Sequence, residues 1–181
     1  MKNRIVASLL SFFLCQISTN TRLLAEDTVN PDYETVKQII YDSLGWAFDK
    51  NYDRLFDIWA NDENILSFFL YSKSMAAGIT AFKKNVEKFR TPDFKATRLE
   101  HREMKIIFSK NRDVAWFSCW IDDCGAYKGQ ESCILNALKT GVLEKRDGKW
   151  VMVQSHSSYP IDKIPEEEIR YYYKNLFEDK K

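Results

Sequence analysis

The chain has 181 residues, 45% of them hydrophobic and 14% aromatic, with 27 Lys and Arg against 26 Asp and Glu. That length supports one domain with a real core, and the charge balance argues against nucleic acid or anionic lipid as the main partner. Its two histidines, His101 and His156, show no metal-ligand spacing with the cysteines, and six scattered glycines form no phosphate-cradling loop, so neither a metal nor a cofactor is expected.

Residues 1–25 have the layout of a secretory leader. Lys2 and Arg4 precede an apolar run from Ile5 to Ile17, no acid occurs before Glu26, and Ala25 suits the last position before cleavage. The run is shorter than the roughly 20 apolar residues that cross a bilayer, and Cys15 follows Leu14 where a lipid-attachment site wants a small residue. A secreted or periplasmic protein without membrane anchoring is therefore expected. Without the leader the chain carries 24 basic and 26 acidic residues. No repeat or linker divides it, which gives one domain over 26–160 and an extension over 161–181.

Asn30-Pro31-Asp32 starts a helix: a capping side chain, a proline whose missing N–H costs nothing there, and an early acid. Tyr33, Val36, Ile40, Leu44 and Ala47 recur at helical spacing. Asn51 opens a short second helix, stopped by Asn61-Asp62. Residues 65–71 are continuously apolar and suit a buried strand. Thr80 begins a third helix with Phe82, Val86 and Phe89 on one face, ended by Thr91-Pro92.

From Phe94 onward the chain reads as strands. Residues 94–108 carry interspersed charges, and His101 is expected to be exposed there. Residues 114–121 are rich in aromatic and β-branched residues. Asp147-Gly148 between apolar runs is a hairpin signal. A two-residue turn there pairs Leu143 with Met152, and a three-residue loop pairs Leu143 with Val151. The last strand turns polar at Gln154-Ser155-His156-Ser157-Ser158, suiting a cavity with an apolar base and a polar mouth. Pro165 and three glutamates open a closing helix. Cys119 and Cys133 lie symmetrically about Ala126 and would face each other on paired strands. Which pair of Cys119, Cys124 and Cys133 is bridged, if any, stays open at this point.

The order helix–helix–strand–helix followed by a four-stranded meander is an α+β plan. Within it, Lys145-Arg146-Asp147-Gly148-Lys149-Trp150, with His156 and Ser158 beyond, resembles the last hairpin of the nuclear transport factor 2-like superfamily. Asp113-Val114-Ala115-Trp116-Phe117-Ser118 and Phe48-Asp49-Lys50-Asn51-Tyr52-Asp53 are similar to its SnoaL-like domains, and the hairpin is similar also to the association domain of calcium/calmodulin-dependent protein kinase II. The resemblance implies a cone-shaped α+β barrel, with a curved antiparallel sheet wrapped around the long first helix, two further helices and a cavity between them, commonly in dimers. In the kinase association domain the pocket-facing position looks equivalent to Ser157, and that family's basic ligand site is not expected here. One fold of this kind hosts many activities.

Three functions follow as expectations. The preferred one is an exported domain that binds a small apolar or amphipathic molecule, with Trp116, Trp120, Gln154, His156, Ser158 and Trp46 as ligand-binding candidates. An enzyme of the isomerase, hydrolase or cyclase kind would draw on His156, Asp122 and Tyr41 as acid–base and hydrogen-bonding groups. An assembly module would form a homodimer.

Overall fold

The computed structural model describes residues 31–69 and 75–158. The expected leader and closing helix lie outside the described residues, as does the end of the apolar run at 65–71.

Helix α1 (Pro31–Gly45) begins at the proline and carries Asp32 and Glu34 in its first turn, where the helix dipole favours acids. Val36, Ile39 and Ile40 recur on one side and are buried. Each such side chain contributes roughly 1.5–3 kcal/mol on leaving water, enough to hold the helix across the sheet, where it touches β3 and β6. The helix stops at Gly45, short of the predicted Ala47, and the chain turns through Lys50 at φ 54°. Helix α2 (Tyr52–Asp57) is capped as the sequence suggests, its Arg54 N–H donating to Asn51 Oδ1 at 2.9 Å. After short strands β1 (Leu66–Phe68) and β2 (Ala76–Ala77) comes α3 (Ile79–Val86), prolonged by a tighter turn at Glu87–Phe89. Its buried Phe82 and Val86 face the core.

Strands β3 (Phe94–Phe108), β4 (Val114–Tyr127), β5 (Gln130–Arg146) and β6 (Lys149–Ser158) form the predicted antiparallel meander. β1 adds to β6 in parallel, giving a six-stranded sheet ordered β2-β1-β6-β5-β4-β3. Its inner face, with Ala115, Phe117, Ile121, Ala137, Leu143 and Met152, makes one core with the helices. A salt bridge of 3.0 Å from Lys145 to Asp32 ties the start of α1 to β5. Burial pushes the Asp32 carboxyl up, but hydrogen bonds from Lys145 and the nearby cations outweigh it and leave its pKa below the ordinary value.

The long strands are bent by register shifts, which fall between Ala96 and Arg98, Arg102 and Lys105, Ile121 and Asp123, and Val142 and Leu143. Glu103 and Asn136 take up the positive φ values of 50° and 55° that such bulges require. Each inserted residue also exchanges inward and outward positions beyond it. The Asp147-Gly148 turn has two residues with φ 49° and 81°, so Leu143 pairs with Met152. The β4–β5 hairpin turns at Lys128-Gly129, φ 51° and 81°. That turn centre, not Ala126, sets the cysteine partners: Cys124 faces Cys133 and is bridged to it, whereas Cys119 lies opposite Lys139 as a buried free thiol.

Candidate functional site

Between the end of α1, α3 with its extension, and the inner face of β4–β6 lies a cavity of about 280 Å³. Its apolar wall is aromatic, built from Trp46, Trp59, Phe69, Phe82, Phe89 and Phe94. Several rings brace one another: Trp59 and Phe82 sit 4.4 Å apart, and Phe89 and Phe94 sit 4.9 Å apart. Rings fixed this way hold the space open, because collapse would break well-packed pairs.

The opposite wall is polar. Lys139 of β5 and Ser155 of β6 are each 4% exposed and line the cavity, with Ser67, Ser157 and Asp123 beside them. Lys139 Nζ donates to Ser155 Oγ at 2.9 Å. Among the described residues no carboxylate lies within 4 Å of that amine. Burial therefore dominates its proton affinity and lowers its pKa from 10.5 to about 8, against the weaker opposing pull of Cys119 and Asp123. Burial likewise raises the half-buried Asp123 carboxyl above the ordinary aspartate range, with Lys139 only partly offsetting it. Both groups are pushed toward their neutral forms. Cys119, the cross-strand neighbour of Lys139, is pushed up to about 11 by burial and stays a thiol.

His101 is not on the solvent side. It sits on the inner face of β3 opposite Ile121, 5.3 Å from the ring of Tyr41. Neither ring nitrogen has a hydrogen-bond partner among the described residues, and burial, with help from the charge of Lys139, lowers its pKa to about 4. The bulge at Glu103 keeps it inward even though charged residues surround it in sequence.

The residues singled out from the sequence divide by sheet face. Trp46 is buried and lines the cavity. Trp116, Trp120 and Asp122 alternate with the inward Phe117, Cys119 and Ile121, and so face outward; Trp116 is 44% exposed. Asp122 accepts from the Asn136 N–H at 2.7 Å and from Arg102 at 2.9 Å. The Asn136 N–H is the largest influence holding its pKa below the ordinary value, aided by Arg102 against some burial. Gln154, His156 and Ser158 also face outward. His156 is exposed, with the edge of the Phe68 ring 5.5 Å away. Simple alternation from the inward Met152 would point these three into the cavity, but Val153 has no partner in β5, since Met152 pairs with Leu143 and Gln154 with Val142. That extra residue turns Ser155 and Ser157 inward instead. Tyr41 is 42% exposed beside His101, outside the cavity lining.

The residues that sequence reasoning missed are Lys139, Asp123 and Ser155. A trace of Lys139 exists in the sequence: it falls in phase with Ala137, Gly141 and Leu143, an otherwise apolar inward set. Among the described residues no group of acids, histidines and cysteines could hold a metal ion, and no described helix is long and apolar enough to cross a membrane.

The family model for the SnoaL-like domain matches residues 36–162. No curated protein matches the chain. Among solved structures, a protein from Xanthomonas campestris named for the calcium/calmodulin-dependent protein kinase II association domain is 22% identical, with a TM-score of 0.60 over 75% of this chain and 91% of that one. A type 2 hexachlorocyclohexane dehydrochlorinase is 16% identical, TM-score 0.60, over 74% and 87%. A nuclear transport factor 2-like protein of unknown function from Pseudomonas putida KT2440 is 15% identical, TM-score 0.56, over 72% and 87%. Likeness of this degree is a likeness of fold.

Proposed function

The chain belongs to the SnoaL-like domain family, and from that premise we propose that it binds a small amphipathic molecule in the cavity between α1 and the sheet. The observation that carries the reading is the opposition of two walls: braced aromatic rings on one side, Lys139, Ser155 and Ser157 on the other. Apolar surroundings with a few fixed polar groups favour a ligand with a greasy body and one polar end. Benzyl alcohol is a suitable probe. Titrated into the ¹⁵N-labelled protein, it should give saturable shifts at the amides of Ile134, Ser155 and Ser157, and Ser157→Trp should abolish them by filling the space. Shifts that never saturate, or that survive Ser157→Trp, would defeat the reading.

An enzyme of the isomerase, hydrolase or cyclase kind is the second reading, favoured by two groups shifted toward neutrality in one cavity. Its acid–base work would fall to Lys139 and Asp123, since His156 and Asp122 face away. The likeness to a dehydrochlorinase fits such chemistry without specifying it.

Two further properties belong to the proposal. Homodimerisation through the outer sheet face is supported by the exposed Ile107, Trp116 and Phe68 there; light scattering should give a dimer that Trp116→Glu dissociates. Export is supported by the Cys124–Cys133 bridge, a bond that persists in oxidising compartments. The mature mass recovered from the periplasm or medium should begin after Ala25.

A further inference from the structure

Lys139 has the wrong surroundings for a structural cation. Buried ammonium groups in proteins are normally paired with a carboxylate, yet this one has none within 4 Å among the described residues and a single hydrogen bond, to Ser155 Oγ. Among the described residues the groups that face it are a free thiol at Cys119 and the carboxyl of Asp123 from β4, the imidazole of His101 from β3, and the hydroxyls of Ser155 and Ser157 from β6. On the helical side the one cation among the described lining residues is Lys88, exposed, with its amine over the ring of Phe89. Among the described residues no anionic clasp awaits the amine, and an apolar wall lies across from it.

We propose that Lys139 is a carbonyl-trapping amine: a small aldehyde or ketone with an apolar body, seated against the aromatic wall, condenses with Nζ to a reversible imine. The inference rests on the cavity reading above and names the class of molecule it takes. The Nζ lone pair attacks the carbonyl carbon, a C–N bond forms, and the C=O π pair moves to oxygen, which takes a proton. The resulting carbinolamine loses a nitrogen-bound proton and its hydroxyl departs as water, leaving C=N. Amine and carbonyl give imine and water, with no change of oxidation state. Asp123 is the one carboxyl in the described lining, and it supplies and retrieves the protons of the dehydration. The direction of its own shift, upward, and that of Lys139, downward to about 8, both favour this chemistry, which needs a neutral amine beside a protonated acid.

Benzaldehyde with sodium cyanoborohydride tests the proposal, because reduction freezes any imine as a stable benzyl adduct that peptide mapping locates. At pH 7.5 an amine of pKa about 8 is neutral roughly two hundredfold more often than an ordinary lysine, so Lys139 should be labelled at least tenfold faster than Lys88. Labelling of Lys139 should slow as pH falls from 8 to 6, be slowed by competing benzyl alcohol, and vanish in Lys139→Arg. Lys139→Met serves equally where the guanidinium prevents folding. Equal labelling of exposed lysines with Lys139 untouched, in a protein that still binds benzyl alcohol, would overturn the inference and leave the cavity reading standing. If benzyl alcohol also fails to bind, both fall together.

Discussion

Replacing Lys139 by Met should make the protein more stable at pH 7. The change keeps the unbranched length and removes the charge. A fall in pKa from 10.5 to about 8 means that the folded protein carries the ammonium at a cost of about 3 kcal/mol relative to the unfolded chain. Against this, the variant loses the hydrogen bond from the charged amine to Ser155 Oγ, which contributes about 1.5 kcal/mol. The net gain is about 1.5 kcal/mol, or roughly 3–6 °C in melting temperature for a chain of this size. The pH dependence fixes the sign independently. Below pH 8 both folded and unfolded wild type hold the proton and the penalty is complete. Between 8 and 10.5 the unfolded chain holds it and the folded one does not, so wild-type stability climbs relative to the variant. Above 10.5 the penalty is gone. Urea unfolding of both proteins at pH 7, 9 and 10.5 should show the advantage of Lys139→Met shrinking and then reversing, because the lost hydrogen bond to Ser155 outlasts the charge penalty. A variant that is less stable than wild type at pH 7, or a gap that does not move with pH, would refute the account of this amine.

Three other outcomes follow from the same geometry. Gly141→Val should cost about 3 kcal/mol or more in urea unfolding, because a Cβ there would lie 2.6 Å from the Gln154 carbonyl oxygen and closer still to the Phe117 ring. Replacing both Cys124 and Cys133 by Ser should lower stability by about 2–3 kcal/mol, the loop-closure value for a bridge spanning nine residues, and reducing agent should have the same effect on wild type. His101 should make the protein acid-sensitive: its folded pKa lies below the ordinary 6.5, at about 4, so stability present above pH 6.5 is lost as pH falls toward 4, by up to about 3 kcal/mol. His101→Phe should flatten that part of the profile; an unchanged acid limb would contradict the burial of the ring.

The fold was legible because its signals are local. Asn30-Pro31-Asp32 and Asn51 announce helix starts through capping chemistry, and Asp147-Gly148 announces a hairpin through the left-handed φ values it accepts; α1, α2 and the β5–β6 turn lie where these predict. The faces of the strands were not legible, because bulges are non-local. Nothing in Met152-Val153-Gln154 marks Val153 as the unpaired residue that turns His156 outward and Ser155 inward. Both phases of residues 114–121 are apolar, so alternation alone cannot choose between the Trp116–Trp120 set and the Ala115–Phe117–Cys119 set; the packing of α1 and α3 on one side decides it. Cysteine pairing failed for a related reason, since moving a turn centre from Ala126 to Lys128-Gly129 changes every cross-strand partner. Lys139 was passed over because a lysine in a strand reads as solvent-facing unless its register is known.

The measurement that bears most directly on the cavity and its amine is a titration of Lys139 itself, by NMR of its labelled side-chain ε carbon with Lys139→Met to assign the signal. A midpoint near 8 is expected for an amine buried beside Ser155 with no ion-pair partner among the described residues. A midpoint at the ordinary 10.5 would place the amine in water, and with it would go the polar wall on which the ligand, the imine and the stability argument all depend.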